Sequence, residues 1–367
     1  MLSLQHKCVI SVHDAIFWGL SLMNYVFLFV QAVQDLLPLE VAITFGLILF
    51  ALSWISPQRI VSLPQPGHRK TILIWAGVAG SLLVVIVATV VSALNVAIFD
   101  YSGFDGWWRR PAPLLAATVA VAVSAIALRR IPLPAPGERM VVPRRPWHAF
   151  ASRTLLWISG ITAALLTLTA GWQIAIATTA PEDAEFFGHV STYTELPIYM
   201  RFNGGYGYLS GAGWPNQLAT LVALALACAV FFAVLQADAN RPLFARSTAA
   251  SVRSERELTA RLFTFLLLGG LVTTLGAVWM HTGSMGTATV GLDEQWVSEN
   301  ESFPRIFISG GYDMIARPMN LLGYALQASG VAFLLRLAVD TVRAAHANRR
   351  ASSAAAEPEV SAAGPRR

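Results

Sequence analysis

The sequence predicts an all-α integral membrane protein with eight transmembrane helices, arranged as four hairpins with both termini in the cytoplasm. The length of the apolar segments, the composition and the placement of the basic residues each point to this fold class. Hydrophobic residues make up 55% of the 367-residue chain and charged residues only 13%, about half the charged share of an ordinary soluble domain. One lipid-exposed helical bundle therefore fits better than two or three soluble domains.

Eight apolar segments, each about 17–28 residues long, have the length to cross a bilayer, because ~20 helical residues span ~30 Å of hydrocarbon. Backbone groups in lipid must satisfy their own hydrogen bonds, so these segments are predicted to be helices. They begin near Ala15, Leu39, Thr71, Pro111, Leu155, Gln217, Leu262 and Met319.

Basic residues fall mainly in the linkers after spans two, four and six and in the C-terminal tail. The alternate loops carry only Arg109, Arg110, Arg201, Arg305 and Arg317. Because cytoplasmic loops are enriched in arginine and lysine, this asymmetry predicts that both termini are cytoplasmic. Arginine-dominated basic usage and compact loops favour a bacterial-type plasma membrane. The positive charge follows the membrane, so it does not indicate a nucleic-acid partner.

Three regions follow from this topology. Residues 1–150 form the first four transmembrane helices with short outer loops. Residues 151–345 form four further helices with two long outer loops, at 180–216 and 282–318. Residues 346–367 are rich in Ala, Ser, Pro, Glu and Arg without apolar periodicity, which predicts a disordered cytoplasmic tail.

The two long loops contain a repeated pattern, in which a glutamate precedes a Gly-Gly-Tyr triplet by nine residues. Loops of this length are usually functional or disordered, and their glycine- and aromatic-rich composition is not typical of disorder. They are therefore candidate binding segments, and the alternative is that they pack on each other and only close the bundle. The candidate residues, with the histidine at the outer end of span seven, are Glu195, Gly204, Gly205, Tyr206, Glu301, Gly310, Gly311, Tyr312 and His281.

Amides, hydroxyls and small residues occupy the deep positions of the spans. Asn24, Asn95 and Gln327 are candidates for a polar pathway, and Gln173 is a further interior amide. The competing interpretation is that such amides form interhelical hydrogen bonds that fix packing. Ion-coupled carriers usually place charged residues inside their spans. Here Arg336 and Asp340 lie near the inner end of span eight, where a long side chain can reach water.

Small residues on one helix face allow close approach of neighbouring helices. Pairs spaced by four residues occur in spans three, five and eight, and three glycines occur in span seven. These residues are Gly77 and Ser81, Gly160 and Ala164, Ala325 and Ser329, and Gly269, Gly270 and Gly276.

Motifs for cofactor chemistry are missing from the sequence. The histidines lie outside the spans or at their edges, which argues against bis-imidazole haem. Cys8 and Cys228 offer neither a disulfide framework nor a CxxC site. Zinc-protease, serine-hydrolase and Walker A motifs are absent. We therefore expect no cofactor, metal site or catalytic residue, and an enzyme is the least favoured class.

Two functions remain open. The first is a permease or channel-like protein for an uncharged or weakly polar solute, in which Asn24, Asn95 and Gln327 face one another around a cavity. The alternative is a non-catalytic membrane subunit or assembly factor that docks a protein partner at the outer face through its long loops. In both cases membrane lipids are partners, and the oligomeric state is left open.

Overall fold

The computed structural model describes most of the chain from residue 41 onward. The described residues are 41–55, 60–64, 67–97, 107–133, 136–140, 146–176, 199–201, 208–210, 214–244, 248–287, 289–292, 306–309 and 312–361. The first predicted span, which begins near Ala15, lies outside them.

The described residues are predominantly helical. The α-helices are α1 (Val41–Leu52), α2 (His68–Trp75), α3 (Ser81–Ala97), α4 (Ala112–Arg129), α5 (Arg153–Ile176), α6 (Trp214–Ala239), α7 (Ala249–Thr287) and α8 (Asp313–Ser361). A π-helical segment, Ala76–Gly80, joins α2 and α3 without a break in helical backbone. Short 3-10 turns lie at Ser53–Ile55, Pro136–Glu138 and Trp147–Ala149.

Six helices in the described part are long and apolar enough to cross a membrane. They coincide with the predicted spans that begin near Thr71, Pro111, Leu155, Gln217, Leu262 and Met319, which supports a multi-pass membrane protein. The second predicted span is represented by Val41–Ile55, an apolar helix shorter than a full span.

Helix α7 lies at the centre of the bundle. Of its most apolar window, 83% is buried, as expected for a helix surrounded by others. Helices α8, α4, α5 and α6 pack against it, and α1 packs against α8. The core consists mainly of Leu, Val, Phe and Ala side chains from these helices.

Glycines line the contact between α7 and α8. On α7 they recur every seven residues, and on α8 two further glycines have the same spacing: Gly269, Gly276, Gly283, Gly323 and Gly330. A methyl group added to any of these would overlap the partner helix. The two backbones therefore pack in one antiparallel register, at a distance that only glycine permits.

The predicted small-residue faces have different outcomes. Gly77 contacts Thr341 of α8, and Gly270 contacts Ala117 of α4, as the prediction of close helix pairing requires. Gly160 and Ala164 are exposed, and within the described part of the chain nothing lies within 4 Å of the position where a Gly160 methyl would be. Ala325 and Ser329 are also exposed. Close pairing at these last two faces is therefore not found among the described helices.

Short antiparallel β-pairs occur in the connections. Arg139–Met140 (β1) pairs with Leu243–Phe244 (β4). Within the two long loops, Tyr199–Arg201 (β2) pairs with Tyr208–Ser210 (β3), and Thr289–Leu292 (β5) pairs with Ile306–Ser309 (β6). We call the end of the bundle that carries these long loops the long-loop end, and the opposite end the basic end.

Helix α8 continues well past the point where the sequence predicts a disordered tail. It is helical over 49 residues, to Ser361, whereas the predicted tail begins at residue 346. The added segment contains Ala-Ser-Ser-Ala-Ala-Ala-Glu, and alanine has the highest helix propensity. A composition that lacks apolar periodicity can therefore still extend an existing helix.

Candidate functional site

Polar side chains concentrate where five helix ends meet at the long-loop end. The starts of α4, α6 and α8 and the ends of α5 and α7 contribute them. The set, which we call the long-loop cluster, consists of Arg109, Arg110, Gln173, Asn216, Gln217, His281, Thr282 and Tyr312. Arg109, Gln173, Asn216, Gln217 and Thr282 are all buried. We take the long-loop cluster as the candidate site, because buried polar groups are concentrated there in an otherwise apolar bundle.

His281 contacts Arg110 across the α7–α4 interface, with 2.9 Å between its Nδ1 and Arg110 Nη2. A guanidinium has no acceptor, so Nδ1 must accept and carries no proton. The imidazole is therefore neutral and protonated on Nε2. Nε2 is buried without a hydrogen-bond partner in the described part of the chain, so it is available as a donor.

Tyr312 joins the start of α8 to α5 and α7. Its ring stacks edge-on against Trp172 with 5.0 Å between ring centres, and its hydroxyl donates to the Thr282 carbonyl at 3.1 Å. Burial raises the pKa of Tyr312 to about 12, with a smaller opposing effect from the Gln173 amide. Gly286 allows this contact, because a methyl group there would overlap the tyrosine ring.

Further hydrogen bonds hold the surrounding helices in place. Trp279 Nε1 donates to Thr169 Oγ1 at 2.9 Å, linking α7 to α5. Asn320 Nδ2 donates to the Met280 carbonyl at 2.7 Å, linking α8 to α7. The α4 start is held by Thr274, whose hydroxyl accepts from the Leu114 backbone at 3.2 Å.

Several buried polar atoms in this half of the bundle have no partner among the described residues. They are Gln217 Oε1, His281 Nε2, Thr282 Oγ1 and, deeper along α8, Gln327 Oε1. A buried polar atom without a partner costs ~1–3 kcal/mol, and native interiors contain few of them. Both donors and acceptors are present, so this set matches the surface of a neutral polar molecule or of water.

The structure describes some of the residues predicted from the sequence. His281 and Tyr312 belong to the long-loop cluster, and Gln327 is buried on α8 against Gly276. Asn95 lies on α3, but its side chain is outside the described residues. Also outside them are Asn24, Glu195, Gly204, Gly205, Tyr206, Glu301, Gly310 and Gly311. The pathway formed by Asn24, Asn95 and Gln327 therefore stays a prediction.

The repeated loop pattern has two different structural settings. When the two glutamates are aligned, β2 of the first loop matches the start of β6 in the second. In the first loop, β2 pairs with β3, which follows the Gly-Gly-Tyr triplet of that loop. In the second loop, β6 pairs with β5, which precedes the triplet of that loop. The common segment thus forms a strand in both loops, with its partner on opposite sides along the chain.

A second buried polar group lies at the basic end. Asp340 is fully buried, and its Oδ2 accepts from Arg336 Nε at 3.2 Å and from the Ile60 backbone at 3.2 Å. Arg336 also donates to the Ser53 carbonyl at 2.8 Å and stacks on Trp54. Arg336 is buried, so the expectation that it reaches water is wrong: its charge is neutralised inside the protein.

Metal-ligating side chains can be assessed only among the described residues. Over the ranges that the structure describes, no three His, Cys, Asp or Glu side chains group closely enough to hold a metal ion. A comparison with known protein families, with curated proteins and with solved structures finds no match for this chain.

Proposed function

We propose that this protein is a permease or channel-like protein for an uncharged, weakly polar solute that enters from the long-loop end. The observation that carries the proposal is the set of buried donors and acceptors at Gln217, His281 and Thr282 that have no partner among the described residues. A solute that hydrogen-bonds to these atoms removes their desolvation cost, which is the usual basis of recognition by a mostly apolar pocket.

The polar atoms without partners in the described part of the cluster belong to neutral groups, the Gln217 amide, the His281 imidazole and the Thr282 hydroxyl, which favours a neutral solute. The two arginines of the cluster, Arg109 and Arg110, already have interaction partners. Towards the basic end the central helix presents fully buried apolar side chains, among them Phe263, Leu266 and Leu271. Such packing closes the bundle to a polar solute, so passage requires α7 and its neighbours to move.

The wider assignment goes with this proposal. We propose eight spans in four hairpins, with both termini in the cytoplasm, in a bacterial-type plasma membrane. The two long loops are then parallel copies that cover the outer face, an architecture known among membrane transporters. Asn24 and Asn95 join Gln327 in the polar pathway.

Osmotic swelling of proteoliposomes tests the proposal. Vesicles with the protein are mixed with glycerol, urea or glucose, and solute entry is followed by light scattering. We expect faster entry of at least one solute than in protein-free vesicles. Gln217→Met keeps the side-chain shape but removes the amide, so it should slow entry. The matched control is Gln236→Met, an exposed glutamine on the same helix α6.

Thermal stability distinguishes a binding role from a packing role. If Gln217 serves a solute, Gln217→Met removes a buried acceptor that lacks a partner, so the solute-free protein should gain stability while entry slows. If the amide holds the helices together, the variant loses stability and entry stays unchanged. That second result, or wild-type entry no faster than in empty vesicles, would reject the proposal.

The alternative is a membrane subunit that docks a protein partner at the long-loop end. The supporting observation is that each long loop contains a two-stranded sheet, whose edges offer backbone groups for strand addition. Replacing residues 199–210 by a Gly-Ser linker should then release a co-purifying protein while membrane insertion is unchanged. Retained association, or purification of the wild type alone, would count against docking.

A further inference from the structure

A cavity of ≈ 270 Å³ lies at the basic end, between the last turns of α4 and α6. Its floor is apolar and buried, formed in part by Leu128 and Val234. Its rim carries Arg129, Arg241 and Asn240. A spanning helix reaches the headgroup region at its ends, so the cavity places its apolar floor next to a polar rim at headgroup level.

The rim carries excess positive charge. Asp238, the one carboxylate that lines it among the described residues, is neutralised by Arg69, with 2.7 Å between Oδ2 and Nη2. Arg241 donates to the Leu128 carbonyl and, at 2.6 Å, to the Ile131 carbonyl, which fixes its guanidinium beside the end of α4. Arg129 is exposed and has no partner among the described residues. Arg129 is therefore available to bind an anionic group beside the positioned guanidinium of Arg241.

We propose that this cavity binds one anionic phospholipid of the surrounding leaflet. The phosphate lies against Arg129 and Arg241, and the Asn240 amide donates to the headgroup. One acyl chain lies along Leu128, Leu133 and Val234. The apolar wall selects a lipid over a free phosphate, because a small anion would leave that surface uncovered. Basic pockets between helices at the membrane surface are known to recognise anionic headgroups.

Native mass spectrometry of the purified full-length protein tests the site. Phosphatidylglycerol is titrated into the detergent-solubilised protein, with phosphatidylcholine as the zwitterionic comparison. Arg129→Gln should weaken phosphatidylglycerol binding about fivefold, the effect of one basic residue near an anionic surface. Arg130→Gln is the matched control: it removes the same charge from the adjacent exposed residue, which does not line the cavity.

A second variant tests the acyl-chain wall. Ala237 lines the cavity, and Ala237→Trp should fill it and abolish retention of the lipid. Arg129→Gln changes an exposed side chain, so it remains informative if the tryptophan variant does not fold. Equal binding of the two lipids, equal weakening by Arg130→Gln, or displacement of phosphatidylglycerol by excess inorganic phosphate would each overturn the proposal.

Discussion

Asp340 shows how single residues position the basic end of the bundle. Its buried carboxylate accepts from Arg336 of the same helix and from the Ile60 backbone, while Arg336 donates to Ser53 after α1. One ion pair thus joins α8 to the end of α1 and to the linker that follows it, 280–283 residues earlier in the sequence. Because the pair is buried, removing one partner leaves the other charge without compensation.

Replacement of Asp340 is expected to be strongly destabilising. Asp340→Asn should lower the free energy of unfolding by about 3–5 kcal/mol, since it leaves Arg336 as an uncompensated buried charge. Urea or SDS titration in mild detergent measures the loss. The double variant Arg336→Met, Asp340→Leu should recover most of it, because it buries no charge.

A matched surface pair provides the control. Arg253 and Glu257 form an exposed ion pair on α7 with 2.6 Å between Nε and Oε1. Glu257→Gln should leave stability essentially unchanged, because solvent screens exposed pairs. If Asp340→Asn were equally neutral, the buried cluster would have no role in holding α1 and α8 together.

Tyr312 makes stability depend on pH in the alkaline range. Its pKa is raised to about 12 in the folded protein, against about 10 for an unperturbed tyrosine. The fold prefers the neutral phenol, so the contribution of Tyr312 to stability is complete below pH 10 and decreases as the pH rises from 10 to 12. Melting curves of wild type and Tyr312→Phe should converge over this window. A constant difference would show that the phenol is not buried against Thr282.

At this scale the sequence identifies residue types but not their partners. His281 stands out because it lies at the outer end of span seven, and Tyr312 because it belongs to the repeated Gly-Gly-Tyr pattern. The contact of His281 with Arg110 joins residues 171 positions apart, so no local pattern could predict it. Gln217 lies at the start of a span, where an amide is unremarkable until its burial is known.

Among the elements, the α7–α8 pair depends on its glycines. Gly276→Ala should lower the free energy of unfolding by about 1–3 kcal/mol, because the added methyl group overlaps the Gln327 backbone and forces the helices apart. Thermal melts or SDS titration in detergent measure the effect. Gly323→Ala should behave similarly, since its methyl group overlaps the Met280 backbone.

Gly160→Ala is the control for helix propensity. No described residue lies within 4 Å of the added methyl group, and alanine is favoured over glycine in a helix by about 0.5–1 kcal/mol. This variant should therefore be neutral or slightly stabilising. Equal losses for Gly276→Ala and Gly160→Ala would contradict the close contact of α7 and α8.

The existence of the helices could be predicted, but their partners could not. Apolar length indicated the spans because lipid permits few other backbone structures. A spacing of four residues pointed to Gly160 and Ala325, whose faces are exposed, and overlooked the seven-residue spacing of Gly276 and Gly283. A small residue permits close packing, but the helix that packs against it lies elsewhere in the chain, so spacing within one helix does not identify that partner.

For the whole molecule, the proposed topology makes an accessibility prediction. In a variant lacking Cys8 and Cys228, a single cysteine at Ser191→Cys should react with a membrane-impermeant maleimide in intact cells. Ser152→Cys should react only after permeabilisation, because it lies at the basic end. The reverse labelling pattern would show that the protein has the opposite orientation in the membrane. Labelling of both cysteines in intact cells would contradict the prediction that the two positions lie on opposite sides of the membrane.

The order of spans in sequence does not reveal which helix is central. Helix α7 is less apolar on average than α6, yet it is the more buried of the two. In a membrane protein, the side chains that face lipid are apolar, as are those that face the core, so hydropathy cannot distinguish a lipid-exposed helix from a buried one. Only the three-dimensional packing of the helices identifies the helices that surround α7.

The π-helical segment at Ala76–Gly80 has a consequence for the rotational phase of its helix. A π segment accommodates one residue more than a regular helical path needs. Each residue turns an α-helix by about 100°, so this extra residue sets the direction in which the α2 side chains project. Removing Val78 would rotate Arg69 by that angle, away from Asp238 and Thr259. A single inserted residue thus aligns one end of a helix independently of the other.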